Sequence, residues 1–316
     1  MNRQLLQRIR ENDSSLTNIE LYCKQIGDEG MKELAEALKV NTYITYINLY
    51  NNQIGPEGMV SLSEAFKINA SITRINLNSN QIGNEGMVSL AEALKINTSI
   101  TKINLSGNRI GNEGMKVLAE ALKINTSITE INLSWNQIGD EGMKSLADTL
   151  KVNTSITKID LYDNHQIGPE GMKALSAVLK INTSITMINL SGNRIGYEGV
   201  KIISETLKTN TSITGIYLSD NKIGKEGRNA LVNALQYNYS IEKIDGIIVH
   251  RLIYNLLELK NRKQRIIEWM PWKNHHVCKE LEPRFHYIIL TLLYLFFVPQ
   301  IFLRREKRKL RQQKKI

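Results

Sequence analysis

The chain has 316 residues, of which 42% are hydrophobic and 23% charged, and this composition excludes an intrinsically disordered protein. The formal net charge of +10 belongs to the last fifth of the chain, because residues 251–316 contain 16 Lys and Arg against 5 Asp and Glu, whereas residues 1–250 contain 25 against 26. The two cysteines, Cys23 and Cys278, exclude a disulfide framework and a cysteine-based zinc site and favour a reducing compartment.

The first predicted element is a short helical cap in residues 1–15, where Leu5, Leu6 and Ile9 are spaced to share one face of a helix. This segment has no apolar stretch long enough for a signal peptide, so we expect a cytoplasmic location. Asn-Thr-Ser sequons occur later in the chain, and we interpret them as a by-product of the repeat described next and not as glycosylation sites. They lie at Asn97, Asn125, Asn153, Asn182 and Asn210.

Residues 16–248 repeat a unit of 28 residues. The units begin at equivalent apolar residues, which are Leu16, Ile44, Ile72, Ile100, Ile128 and Ile156, then Ile185 after one step of 29 residues, then Ile213 and Ile241. These positions give eight full repeats and a partial ninth. The additional residue lies between Asp163 and Gln166, and we interpret it as an insertion in a turn without further consequence.

Each unit is predicted to contain one strand and one helix. In the unit that begins at Ile100, residues Ile103 and Leu105 alternate with polar residues, which is typical of a strand with one buried face. Apolar residues then follow at the i, i+3, i+4, i+7 spacing of an amphipathic helix, at Met115, Leu118, Ala119 and Leu122. Parallel strands stack about 4.8 Å apart and packed helices about 8–10 Å apart, so we expect the strands to form the concave wall of an α/β solenoid.

An asparagine recurs in the turn after each strand from the second repeat onward, and we predict that it satisfies backbone groups there. With the apolar positions it gives the pattern I-x-x-I-x-L-x-x-N-x-I-G-x-E-G-M-x-x-L-A-x-x-L. This pattern resembles the ribonuclease-inhibitor-like class of leucine-rich repeats, which also forms the repeat regions of NOD-like receptors and the body of Ran GTPase-activating proteins. The resemblance implies a right-handed horseshoe with a parallel concave sheet and outer helices. It implies no particular function, because the class binds many unrelated partners.

The candidate binding residues lie beside the buried strand positions, where side chains are expected to point into the concave face. The position before the central strand residue varies most while the rest of the repeat stays nearly constant, so a binding surface is expected there. Aromatic residues and Arg are common anchors of protein interfaces. We predict partner-binding roles for Tyr46, Tyr50, Arg74, Lys102, Glu130, Trp135, Lys158 and Tyr162, and Trp135 is the strongest candidate because equivalent turns hold small residues.

Residues 249–316 are predicted to form a helical C-terminal cap followed by a basic, apolar tail. Residues 250–268 show the apolar stripe of a helix that could cover the last repeat. Residues 285–303 are long enough to cross a bilayer, but a helix on the cap or along a membrane surface is favoured. The basic run from Arg304 to Lys315 suits an anionic membrane surface or nuclear import. A metal site at His275 and His276 is not favoured, because Cys278 is the one thiolate or carboxylate at ligand spacing.

The sequence contains no constellation typical of an enzyme, and the repeated I-G-x-E-G lacks the Lys and Ser or Thr of a phosphate-binding loop. We therefore expect a non-catalytic, monomeric protein–protein interaction scaffold or recognition module that binds another protein on its concave face. No cofactor, metal or small-molecule substrate is expected. Two alternatives remain open, which are a GTPase-activating or other regulator of a small GTPase, and a scaffold tethered to a membrane through residues 285–303.

Overall fold

The computed structural model describes residues 2–238, 240–244 and 247–248 of the chain. One strand and one helix alternate along these residues, after a first helix at the N-terminus. The elements are α1 (Arg3–Arg10), β1 (Asn18–Glu20), α2 (Gly27–Val40), β2 (Tyr46–Asn48), α3 (Pro56–Phe66), β3 (Arg74–Asn76), α4 (Gly83–Ile96), β4 (Lys102–Asn104), α5 (Gly111–Ile124), β5 (Glu130–Asn132), α6 (Asp140–Leu150), β6 (Lys158–Asp160), α7 (Pro169–Leu179), β7 (Met187–Asn189), α8 (Gly196–Leu207), β8 (Gly215–Tyr217), α9 (Gly224–Leu235), β9 (Lys243–Ile244) and β10 (Ile247–Ile248).

The strands form one sheet in chain order, and β1 to β9 are parallel. Residues one repeat apart pair directly, so Ile47 lies opposite Ile75, and Ile159 lies opposite Ile188 across the longer repeat. The last strand, β10, pairs antiparallel with β9. Each helix from α2 to α9 packs on its neighbours in sequence. This arrangement confirms the predicted alternation of parallel strands and helices in a solenoid.

The core lies between the sheet and the helices, and each repeat contributes the same side chains to it. In the second repeat Ile47 and Leu49 from the strand side and Met59 and Leu62 from α3 are fully buried. A buried isoleucine in the following turn, Ile54, completes the set. Each such side chain contributes roughly 1.5–3 kcal/mol of burial free energy before entropy is subtracted. The apolar face of one repeat is therefore covered by the next.

Glycine near the start of each helix permits this close stacking. A Cβ atom at Gly114 would lie 2.6 Å from Cγ2 of Ile110 and 3.2 Å from Cα of Asn84 in the preceding repeat. The first of these distances is far shorter than a van der Waals contact, and the second involves backbone that cannot easily move. The repeated glycine thus leaves room for an isoleucine of its own repeat and for the backbone of the preceding repeat.

The recurring turn asparagine has the predicted structural role. Asn136 is fully buried, and its Nδ2 donates to the carbonyl oxygens of Leu105 (2.9 Å) and Ser134 (3.0 Å). Its Oδ1 accepts from the backbone N–H of Asn108 (2.9 Å) and of Ile110 (3.4 Å) in the preceding repeat. The asparagine thus joins backbone groups of adjacent repeats that the sheet does not reach. The equivalent residues are Asn52, Asn80, Asn108, Asn164, Asn193 and Asn221.

The sequon asparagines form a second row at the ends of the helices. Nδ2 of Asn125 donates to the carbonyl oxygens of Leu94 (2.8 Å) and Asn97 (2.9 Å), while its Oδ1 accepts from the backbone N–H of Ser127 and Ile128. These side chains are buried, so their amide nitrogens are inaccessible to modification in the folded repeats. This burial supports the interpretation that the sequons follow from the repeat.

The helix α1 precedes the first strand and places two apolar side chains in the core. Leu6 and Ile9 are buried, whereas Leu5 is half-buried, and Nδ2 of Asn41 donates to the carbonyl oxygen of Ile9 at 3.2 Å. The side chain of Asn2 caps the start of this helix. The residues thus cover the open side of the first repeat.

Several predictions concern residues outside the described part of the chain. They include the helix at 250–268, the pair His275 and His276, the apolar segment 285–303 and the basic run from Arg304 to Lys315. Among the described helices, none has both the length and the apolar character needed to span a bilayer. The membrane and nuclear alternatives therefore stay predictions from the sequence.

Candidate functional site

Two rows of side chains cross the face of the sheet opposite the helices. The first row consists of the residues that begin the strands, in direct register: Asn18, Tyr46, Arg74, Lys102, Glu130, Lys158, Met187, Gly215 and Lys243. The second row lies two residues further along each strand and consists of Glu20, Asn48, Asn76, Asn104, Asn132, Asp160, Asn189 and Tyr217. Because neighbouring strands are about 4.8 Å apart, each row is a regularly spaced line of side chains.

An open depression of about 420 Å³ follows these rows from β2 to β8, and we call it the sheet groove. Five of the eight predicted binding residues line it, namely Tyr46, Arg74, Lys102, Glu130 and Lys158. The other three, Tyr50, Trp135 and Tyr162, lie on the turns that follow the strands. The structure therefore places the predicted residues in two separate groups, one in the sheet groove and one on the turns after the strands.

The centre of the first row is a network of three charges. Nζ of Lys102 and Nζ of Lys158 each lie 3.0 Å from the same atom, Oε1 of Glu130. Burial raises the pKa of Glu130, but hydrogen bonds from Lys158 and Lys102 outweigh it, and the net effect is a lowered pKa. Partly exposed ion pairs contribute only about 0–1 kcal/mol to stability. The network is therefore a weak source of stability and leaves one net positive charge in the groove.

A cation–π pair lies beside this network, on β2 and β3. The guanidinium carbon of Arg74 lies 4.9 Å from the ring centre of Tyr46, a distance that is favourable for such a pair. Burial and the nearby Glu20 carboxylate raise the pKa of Tyr46, while Arg74 partly offsets the shift. Tyr46 therefore stays neutral, and its ring face packs against the guanidinium of Arg74.

The second row carries amide side chains whose orientation is fixed by the backbone. Oδ1 of Asn104 accepts from the N–H of Ser106 (3.0 Å), and Oδ1 of Asn132 accepts from the N–H of Ser134 (2.9 Å). Asp160 replaces asparagine in the longer repeat. Burial raises its pKa, and hydrogen bonds from the Tyr162 backbone and the Asn189 side chain only partly offset this.

Three aromatic rings meet on the turns after β5 and β6, and we call Trp135, Tyr162 and His165 the aromatic patch. Trp135 is 53% exposed, and its indole meets the edges of Tyr162 and His165 with ring centres 5.8 Å and 5.9 Å apart. Tyr162 and His165 are also exposed. Tyr50 is exposed on the turn after β2, and no contact within the described residues joins it to the patch.

The backbone at Trp135 is left-handed, with φ of +57°. Equivalent turn positions share this conformation but hold residues that adopt it more easily or are smaller, namely Cys23, Asn51, Ser79, Gly107, Asp163, Gly192 and Asp220. A bulky residue in this region carries a conformational cost of roughly 1–3 kcal/mol. The backbone conformation at this position therefore disfavours the bulky residue that occupies it.

The one-residue insertion has a consequence that the sequence interpretation did not include. It introduces His165, whose ring contacts Trp135 and whose Nδ1 lies 2.8 Å from Oδ1 of the nearly buried Asp163. In the other repeats the backbone of this turn donates to the asparagine of the next repeat. After the insertion Oδ1 of the next asparagine, Asn193, is buried without a hydrogen-bond partner in the described residues, so we infer that the insertion displaces this backbone. The departure in period was visible in the sequence, but the new ring contact was not.

The described residues offer no grouping suited to metal binding. No cluster of three or more His, Cys, Asp or Glu side chains in this part of the chain could hold a metal ion. Cys23 is exposed, with its Sγ 3.4 Å from Nδ2 of Asn51. The chemistry available on this face is thus charge, hydrogen bonding and aromatic contact.

Comparisons with known proteins concern the repeats. The family model described as "TMOD/LMOD Leucine-rich domain" matches residues 2–98. The model described as "Leucine Rich repeat" matches residues 97–119, 125–147, 152–176, 182–204 and 209–232. No curated protein matches the chain.

Among solved structures, the leucine-rich repeat-containing protein LegL7 from Legionella pneumophila is similar with a TM-score of 0.50 and 17% identity, over 77% of this chain and 87% of that one. The tropomodulin C-terminal domain of Caenorhabditis elegans gives a TM-score of 0.41 and 22% identity over 47% of this chain and 90% of that one. Leiomodin-1 actin-binding site 2 gives a TM-score of 0.43 and 24% identity over 46% of this chain and 85% of that one. The repeat matches, the LegL7 fold and the parallel sheet together confirm the predicted leucine-rich repeats, and this chain is a leucine-rich-repeat protein.

Proposed function

We propose that this protein is a non-catalytic recognition module that binds a partner protein on the exposed face of its sheet and on the adjoining turns. The observation that carries the proposal is the aromatic patch. Trp135, Tyr162 and His165 are exposed, in mutual contact, and located where most other repeats hold small or polar residues. Trp and Tyr are enriched among the residues that contribute most to binding at protein interfaces.

The conformational cost at Trp135 supports a functional origin for the patch. In the described structure its indole makes two edge contacts with aromatic rings, together worth about 1–3 kcal/mol, and the left-handed backbone at a bulky residue costs about the same. Stability alone therefore gives little reason for tryptophan here, whereas a rigid aromatic anchor for a partner does.

Affinity capture from cells of the source organism tests this proposal with variants that restore residues of neighbouring repeats. Trp135→Asn introduces the residue found at Asn51, and Tyr162→Ser introduces the residue found at Ser134, so both changes suit the local fold. We expect the double variant to lose a protein that the natural chain retains. Tyr197→Ser, which removes an exposed ring from α8, is the matched control and should retain it.

The proposal is wrong if the patch variant captures the same proteins in the same amounts as the natural chain. It is also wrong if the α8 control loses them equally, because recognition would then not be specific to this face. Circular dichroism of each variant checks that the repeats remain folded. A cytoplasmic location, with the exposed Cys23 thiol in a reducing compartment, remains part of the proposal.

A further inference from the structure

The central part of the sheet groove has an excess of hydrogen-bond donors. Lys102 and Lys158 have three donors each on their ammonium groups, and within the described residues both bond to one oxygen atom of Glu130. Arg74 adds a guanidinium on the same row, one strand from Lys102. Three cations and two carboxylates, Glu130 and Asp160, thus face the groove from four consecutive strands, which leaves one net positive charge.

The amides of the second row add neutral donors to this excess. Backbone N–H groups can only donate, so the atoms of Asn104 and Asn132 that face Ser106 and Ser134 must be the side-chain oxygens. Their NH₂ groups therefore point away from the turn, and they donate to no other residue in the described part of the chain. The groove consequently has unused donors on both rows, between β4 and β6.

The spacing of the cations restricts the shape of a ligand. Lys102 and Lys158 lie two strands apart, which is about 10 Å for strands stacked at about 4.8 Å. A peptide in the polyproline II conformation rises about 3.1 Å per residue with three residues per turn, so carboxylates three residues apart lie on the same side and about 9 Å from each other. A peptide that crosses the strands could then place one carboxylate near each lysine and its carbonyl oxygens near the amides of Asn104 and Asn132.

We propose that the sheet groove binds an acidic segment of a partner protein in the polyproline II conformation, with carboxylates three residues apart over Lys102 and Lys158. This inference rests on the proposed function, since it specifies the chemistry of the partner. The chain's own C-terminal segment does not complement the groove, because residues 251–316 contain 16 basic and 5 acidic residues. Glu130 acts as an internal competitor that occupies both lysines when the groove is empty.

Fluorescence anisotropy with the full-length protein tests the inference at physiological salt. The probe is a labelled 12-residue peptide with Asp at every third position and Ser and Thr between. We expect Lys102→Gln and Lys158→Gln each to weaken binding by about three- to tenfold. Glu130→Gln should strengthen it by a similar factor, because it removes the internal competitor. Lys116→Gln on α5 causes the same change in net charge as the lysine variants outside the groove and should leave binding unchanged.

If the Glu130 ion pairs were purely structural, Glu130→Gln would not tighten peptide binding. A tighter complex with this variant therefore shows that the two lysines bind the peptide. Equal weakening by Lys116→Gln overturns the inference, because it would assign binding to overall charge or to the basic C-terminal segment. So does equal binding of a peptide with its four Asp residues contiguous, which would remove the spacing argument. Binding of oligothymidylate with the same dependence on the variants would assign the groove to nucleic acid and overturn it as well.

The outcomes also separate this inference from the proposed function. If the aromatic-patch variant loses a captured protein but no acidic peptide binds the groove, protein recognition stands and the acidic chemistry is wrong. If peptides bind as expected but the patch variant captures the same proteins as the natural chain, the groove is active and the role of the patch is wrong.

Discussion

Replacing Trp135 with glycine or with alanine separates the cost of its backbone from the value of its ring. Both variants lose the same contacts with Tyr162 and His165, which are worth about 0.5–1.5 kcal/mol per pair. They differ because the backbone φ is +57°, where a Cβ atom costs about 1–2 kcal/mol. The greater flexibility of unfolded glycine offsets about 0.4–1 kcal/mol of that difference. We therefore expect the glycine variant to be more stable than the alanine variant by about 1 kcal/mol.

Urea unfolding followed by far-ultraviolet circular dichroism measures this difference, because the helices of the repeats dominate the signal. The two variants should unfold with the same slope, and the midpoint of Trp135→Gly should lie at the higher urea concentration. The reciprocal change, Gly107→Ala, is the control at an equivalent turn, where φ is +67°. A Cβ atom at Gly107 would lie 3.4 Å from Oγ of Ser79, which is an ordinary contact, so this variant isolates the backbone cost.

A Trp135→Ala variant at least as stable as Trp135→Gly, together with an unchanged midpoint for Gly107→Ala, would refute the reasoning. The left-handed turns would then impose no cost on a side chain. Trp135 would then carry no backbone cost that a role in recognition has to explain.

Three further predictions concern the repeat scaffold and its titration. Asn136→Ala should lower the free energy of unfolding by about 3 kcal/mol, because it leaves buried backbone groups of two repeats unpaired. Asn193→Ala should cost about 1 kcal/mol less, because the Oδ1 of Asn193 is already unpaired in the described residues. Equal losses for the two variants in urea unfolding would contradict this expectation. Gly114→Ala should cost about 1–3 kcal/mol through overlap with Ile110 of the same repeat and the close approach to the Asn84 backbone of the preceding one, and an unchanged melting temperature would show that these neighbours move aside without cost. Burial raises the pKa of Asp160, so the folded state binds this proton more tightly than the unfolded state, and the ionised carboxylate lowers stability at neutral pH. Asp160→Asn should therefore be more stable than the natural protein at pH 7, by less than about 1 kcal/mol, and this gain should disappear toward pH 4. Thermal unfolding at several pH values measures the gain, and a difference that does not change with pH would refute the prediction.

The position of most candidate residues could be predicted because the period fixes the register. Once residues 28 apart pair in a parallel sheet, Tyr46, Arg74 and Lys102 must be neighbours on consecutive strands. The alternation of buried and exposed positions within each strand then places all three on the face away from the helices. The structural role of Asn136 followed from the same reasoning, because backbone groups in a turn between strands need a partner.

The contacts of the aromatic patch could not be predicted in the same way. Whether the ring of His165 reaches Trp135 depends on how the inserted residue alters the path of one turn, and a period gives no information on that path. The insertion was itself the signal, since a departure from an otherwise regular repeat changes the local backbone. The sharing of one Glu130 oxygen by two lysines likewise depends on side-chain rotamers that register leaves free.

The charge of the groove shows how an average can conceal a binding preference. Residues 1–250 contain nearly equal numbers of basic and acidic side chains, which gives no indication of the partner's charge. The solenoid, however, sorts each repeat position onto one face, so the relevant charge is that of a row. From Arg74 to Lys158 the first row carries three cations and one anion, and acidic residues such as Glu57, Glu85 and Glu113 lie in the first turns of the outer helices. In a repeat protein, the row is therefore the unit from which the sign of a partner should be inferred, and the Glu130→Gln measurement tests that principle directly.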